Sequence, residues 1–71
     1  MFIKIVRGKH ESFYEGNTLH IRPLTNDKFM LELERIGDST ICIEIDKTVP
    51  ESLGVYCMNN RGQTVETIFK K

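Results

Sequence analysis

The residues best suited to chemistry are a histidine and two glutamates on consecutive segments of the chain. His20 lies in the alternating stretch TLHIRPL, and Glu32 and Glu44 lie in the two alternating segments that follow. An imidazole and two carboxylates can ligate a divalent metal, although catalytic zinc sites use at least two nitrogen or sulfur ligands in most cases. The same side chains suit the wet face of an antiparallel sheet, where they form cross-strand pairs. Surface pairing is the favoured interpretation, and metal binding at His20, Glu32 and Glu44 is an alternative.

Catalytic motifs are missing from the rest of the chain. Of the two cysteines, Cys57 is typical of a small buried hydrophobe, and Cys42 lies near glutamates, which makes it a poor nucleophile. The sequence has no glycine-rich phosphate loop, no CxxC pair and no HExxH. We therefore expect no enzyme and no cofactor.

A basic and aromatic patch is the second candidate site. The adjacent residues Phe13 and Tyr14 cannot both face the core of a strand, so one of them must point away from it. Basic residues near them lie at Lys4, Arg7 and Lys9. An exposed aromatic ring beside cations could anchor a protein partner or stack on a nucleic-acid base.

Composition bounds the possible functions. The chain has 71 residues, with ten Lys and Arg against ten Asp and Glu. This balance argues against a general nucleic-acid binder, because such proteins neutralise phosphates. The sequence starts MFIKIV without a signal-peptide pattern and has no run long enough for a membrane span. We expect a reduced, cytoplasmic protein that does not bind membranes.

The elements that must position these residues are strands. Apolar residues alternate with polar ones along most of the chain, and helical periodicity is almost absent. The candidate strands are residues 2–7, 12–15, 18–24, 28–36, 40–46, 53–58 and 63–69. The predicted fold is all-β: one domain over residues 1–71, built as a small antiparallel meander of six or seven short strands and curled into a partly open barrel.

The same alternation predicts strand register, because a slip of one residue turns every apolar side chain to the wrong face. A loop at residues 25–27 places His20 opposite Glu32, and a loop at residues 37–39 places Glu32 opposite Glu44. A third loop, Asn60-Arg61-Gly62, requires a positive φ at Gly62.

Three functions follow as hypotheses. The leading one is a non-enzymatic protein-interaction module, a small adaptor or inhibitor, which also forms a homodimer because strand 2–7 carries apolar residues on both faces. Its partner would bind Lys4, Arg7, Lys9, Phe13 and Tyr14. The alternative is a regulator that binds single-stranded RNA through the same patch, and the third is metal binding at the His20 row.

Overall fold

Seven antiparallel strands make up the fold, so the predicted all-β class is confirmed. The computed structural model describes all residues from 1 to 71. The strands are β1 (Phe2–Arg7), β2 (His10–Glu15), β3 (Thr18–Pro23), β4 (Lys28–Glu34), β5 (Ile41–Asp46), β6 (Leu53–Met58) and β7 (Thr64–Lys70). They form a four-stranded sheet of order β2-β1-β6-β7 and a three-stranded sheet of order β3-β4-β5. Neither sheet closes on itself, and the predicted barrel is therefore wrong.

The chain divides into two units, each of which contains one sheet. One unit comprises residues 1–15 and 49–71, and the other comprises residues 16–48. The single domain expected from the sequence stays a prediction. The chain forms no helix with the length and the apolar surface that a membrane span requires.

The four-stranded sheet combines two hairpins through a non-local pairing. β1 pairs with β2 on one side and with β6 on the other, so strand order departs from chain order here. Ile3 and Ile5 of β1 are each 1% exposed, and their neighbours Cys57 and Val55 in β6 are also buried. Branched side chains at alternate positions suit a pleated, half-buried surface, which explains why these segments form strands.

The three-stranded sheet is a meander in chain order, as predicted. Leu19 pairs with Leu33 and His20 with Glu32, which confirms the register of the β3–β4 hairpin. Leu31 and Leu33 of β4 are fully buried. The central strand therefore supplies most of the apolar surface that this sheet removes from water.

The β4–β5 register differs from the prediction by two residues. Glu32 lies opposite Cys42 instead of Glu44. The connection comprises residues 35–40 instead of three residues, and the Arg35 side chain bridges it by donating a hydrogen bond to the Ser39 carbonyl at 2.8 Å and pairing with Asp38 at 3.3 Å. A shift of two residues keeps every side chain on its face, so alternation cannot distinguish the two registers.

Two glycines form tight turns at the ends of the four-stranded sheet. Gly62 has a φ of 80°, as predicted for the β6–β7 turn. Gly8 has a φ of 59° and, with Lys9, makes the whole β1–β2 connection, because β2 begins two residues earlier than predicted. A side chain is strained at positive φ, and glycine is therefore suited to both positions.

Candidate functional site

One face of the four-stranded sheet is the candidate site, and we call it the open face. Residues paired across an antiparallel sheet point to the same side, so the register defines the members of this face. They are Phe2, Lys4 and Val6 of β1, Glu11, Phe13 and Glu15 of β2, Gly54, Tyr56 and Met58 of β6, and Thr64, Thr67 and Lys70 of β7. The opposite face carries the buried residues Ile3, Ile5, Leu53, Val55 and Cys57.

Apolar side chains form the centre of the open face. Phe13 is 57% exposed, and Phe2, Val6, Tyr56 and Met58 are half-buried. These residues are neighbours across three adjacent strands, so their exposed surfaces are continuous. A contiguous apolar patch rimmed by polar residues is typical of a binding surface, whereas single exposed apolar residues are common on any protein.

Lys4 lies at the middle of this apolar centre, between Phe13 and Tyr56. Its Nζ is 3.2 Å from Glu11 Oε2 and 5.9 Å from the centroid of the Tyr56 ring. Both contacts hold the ammonium group in place, because a carboxylate and an aromatic face each attract a cation. The methylene groups of Lys4 therefore add to the apolar surface while its charge already has partners.

Gly54 lets the Tyr56 ring lie flat along the sheet. A Cβ at this position would be 2.5 Å from the tyrosine hydroxyl and 2.6 Å from Cε2, so only a glycine leaves room for the ring. Beside it is an open depression of about 200 Å³. Its lining comprises Val6, Ser52, Leu53, Gly54, Tyr56, Lys70 and Lys71. The open face is thus flat at Tyr56 and concave next to it.

The structure separates the predicted basic and aromatic patch. Lys4 and Phe13 are direct cross-strand partners on the open face. Arg7 and Tyr14 lie on the opposite side of the same hairpin, and Lys9 lies in the turn. The expectation that one of the two adjacent aromatics points outward is confirmed, since Phe13 is exposed and Tyr14 is half-buried.

The His20 row is a set of exposed contacts between side chains of adjacent strands. His20 Nε2 is 3.1 Å from Glu34 Oε1, and Arg22 Nε is 3.4 Å from Glu32 Oε1. Glu44 lies opposite Met30, so the predicted alignment of Glu32 with Glu44 is wrong. No group of three or more His, Cys, Asp or Glu side chains is placed to hold a metal ion. Exposed pairs of this kind contribute about 0 to 1 kcal/mol to stability.

The two cysteines are free thiols in different environments. Cys42 is exposed, and Cys57 is buried, as the sequence predicted for Cys57. Burial raises the pKa of the Cys57 thiol above its ordinary value, and the carboxylate of Glu66 raises it further, against a smaller opposing effect of the N-terminal amine. Cys57 therefore remains a neutral thiol over a wider pH range than an exposed cysteine does.

We expect the two thiols to be alkylated at very different rates. At pH 8, iodoacetamide should modify Cys42 in the folded protein and reach Cys57 only after denaturant unfolds the chain, because the reactive species is an accessible thiolate. Peptide mass spectrometry over a time course measures both rates. The Cys42→Ser variant is the control and should stay unmodified while folded. Comparable rates at the two sites in the folded protein would contradict this assignment.

Known proteins offer no guide to this surface: no family model matches the chain, and no curated protein or solved structure matches it significantly.

Sequence reasoning missed Phe2, Tyr56 and Met58 as members of the candidate site. Alternation in LGVYCM did place Tyr56 and Met58 on the face away from Val55, and this signal was available. The pairing of β1 with β6 was not available, because the two strands are far apart in the sequence. Only that pairing brings Tyr56 next to Lys4.

Proposed function

We propose that this protein is a non-enzymatic interaction module, a small adaptor or inhibitor, which binds a protein partner through the open face. The observation that carries the proposal is the continuous apolar centre around Phe13, which surrounds a lysine whose charge is already paired. Protein interfaces have apolar and aromatic cores with polar rims, and the open face has the same arrangement. Its central side chains suit contact with a partner more than chemistry on a substrate.

The charges of the open face favour a protein partner over RNA. Lys4 and Lys70 are balanced by Glu11 and Glu15 on the same face. Carboxylates repel phosphates, and the ammonium group nearest to Phe13 is held by Glu11. The cation Arg7, which the RNA hypothesis also needs, lies on the other side of the sheet. RNA binding through this surface is therefore the less favoured function.

Site-specific photocrosslinking in the native host cell tests the proposal. Phe13 is replaced by p-benzoylphenylalanine, and Val65 of β7, an apolar residue of similar exposure (61% against 57%), is replaced in the control variant. We expect covalent protein adducts from position 13 and few from position 65, because only the former lies in the apolar centre. The mass of each adduct is read from denaturing gels and mass spectrometry.

Two outcomes of this experiment contradict the proposal. Equal adducts from both positions, or none from position 13, would mean that the open face has no specific partner. Adducts from position 13 that ribonuclease removes would favour the RNA hypothesis. A protein adduct specific to position 13 supports the interaction module, whatever the identity of the bound protein.

A further inference from the structure

We propose that the partner of the open face is a second copy of this chain, packed face to face about a two-fold axis that runs parallel to the strands. This inference rests on the proposed function and names its partner. It is carried by the distribution of charge across the four strands, which is complementary to itself under that rotation and not under the alternative one.

Charge differs between the two edges of the open face. β2 contributes the carboxylates Glu11 and Glu15, whereas β7 contributes the ammonium group of Lys70. Glu11 forms an ion pair with Lys4, but the Glu11 side chain is 50% exposed, so its carboxylate can also pair with a second cation. Lys70 is exposed. The face thus has one acidic edge and one basic edge.

A two-fold axis parallel to the strands places these edges on each other. The rotation puts β2 of one copy over β7 of the other and keeps each row at the same height along the strands. Glu11 then faces Lys70 of the second copy, and the symmetry makes this pair twice. An isologous interface requires such self-complementarity. An axis perpendicular to the strands would instead put Glu15 over Glu11 of the second copy, where like charges repel.

The central rows are complementary in chemistry under the same rotation. Phe2 faces Met58 of the second copy, a pairing of ring and thioether that is favourable in proteins. Lys4 faces the ring of Tyr56, so each tyrosine can receive a cation from both chains. Val6 faces the hydroxyl end of the Tyr56 ring, which covers Gly54, beside the depression of about 200 Å³.

The size of the face predicts a weak dimer. Strands spaced by about 4.8 Å with a rise of about 3.4 Å per residue give the open face an area of roughly 400 Å² per copy. Stable interfaces bury about 800 Å² per partner, so this one belongs among the small, dissociable interfaces. Association is expected to depend strongly on concentration and to be detectable by sedimentation equilibrium up to about 1 mM chain.

Charge reversal tests the geometry. Glu11→Lys and Lys70→Glu each place like charges together twice in the dimer, and each is expected to weaken self-association about tenfold. An equimolar mixture of the two variants restores opposite charges at both pairs of each mixed dimer, and association should return. Glu15→Lys is the matched control: it makes the same charge change on the same strand, but faces Thr64 of the second copy and should leave association within about twofold of the wild type. Low salt is used because the pairs lie at the rim.

The outcomes separate this inference from the proposed function. Circular dichroism confirms that each variant is folded. Three results would each overturn the proposal that the partner is a second copy. They are a wild-type chain that stays monomeric at about 1 mM, single variants that associate like the wild type, and a mixture of variants that stays dissociated. In any of these cases an adduct from position 13 with a different protein leaves the proposed function in place. Recovery in the mixture, with a position 13 adduct of twice the chain mass, supports both.

Discussion

Replacing Gly16 with alanine is expected to lower the free energy of unfolding by about 2 kcal/mol. Gly16 is buried between β2 and β3 and has no positive φ, so alanine meets no backbone strain. The obstacle is space: a Cβ here would be 2.5 Å from Leu33 Cδ1, 3.0 Å from Cδ2 and closer still to Cγ. Leu33 is fully buried and cannot move aside without displacing its neighbours. Urea denaturation followed by circular dichroism measures the change.

A double-mutant cycle shows whether Leu33 is the cause. In the Leu33→Ala background the clashing atoms are absent, and Gly16→Ala should then be neutral or slightly stabilising. Trimethylamine N-oxide can be added to every sample if Leu33→Ala alone is too unstable to fold. At an unstrained, uncrowded position, glycine to alanine stabilises a protein by about 0.4 to 1 kcal/mol. Stabilisation of the otherwise unmodified chain by Gly16→Ala would therefore refute the close packing described here.

Truncating Leu31 to alanine should destabilise the protein by about 3 kcal/mol. Leu31 is 0% exposed at the centre of β4, between Ile21 of β3 and Ile43 of β5. Removing its side chain leaves a cavity and loses buried apolar area. Because small proteins have only about 5 to 15 kcal/mol of stability, the midpoint of urea unfolding should fall markedly.

Ile21→Ala is the control for Leu31→Ala. Ile21 lies in the same cross-strand row, but it is 48% exposed. Its truncation should cost less than about 1 kcal/mol, because most of the removed surface was already in water. Equal losses of stability in the two variants would mean that Leu31 and Ile21 are equally buried, contrary to the structure.

The local parts of the fold could be predicted from the sequence. Leu19 and Leu33 have to share an apolar face, and the short β3–β4 connection leaves one register that achieves this. Gly62 marked the β6–β7 turn because its position requires a positive φ. Both signals arise from residues that are close in the chain, where turn chemistry and alternation act together.

The β4–β5 register could not be predicted in the same way. Moving Glu32 from Glu44 to Cys42 changes no face, so the apolar pattern fits both arrangements. The longer loop is closed by the Arg35 side chain, whose bonds to Ser39 and Asp38 follow no turn rule. The predicted row of His20, Glu32 and Glu44 depended on the shorter loop and was lost with it.

The candidate site depended on a long-range contact. Phe13 could be assigned to a surface from its neighbour Tyr14, because adjacent residues of a strand face opposite sides. The same rule places Lys4 and Arg7 on opposite faces, and applying it to the whole basic patch would have excluded half of it. Only the pairing of β1 with β6 shows that Tyr56 and Met58 extend the surface beside Lys4.

The irregular strand β7 has a consequence for the addition of further strands at the sheet edges. β7 is an edge of the four-stranded sheet, and its register shifts twice against β6, with Val65 and Ile68 as the extra residues. At an edge of the three-stranded sheet, β3 ends in Pro23, which has no N–H to donate. Bulges and prolines make poor templates for an incoming strand. The edges formed by β7 and β3 therefore resist the addition of a further strand, which leaves β2 and β5 as the edges that present regular strands to an incoming chain.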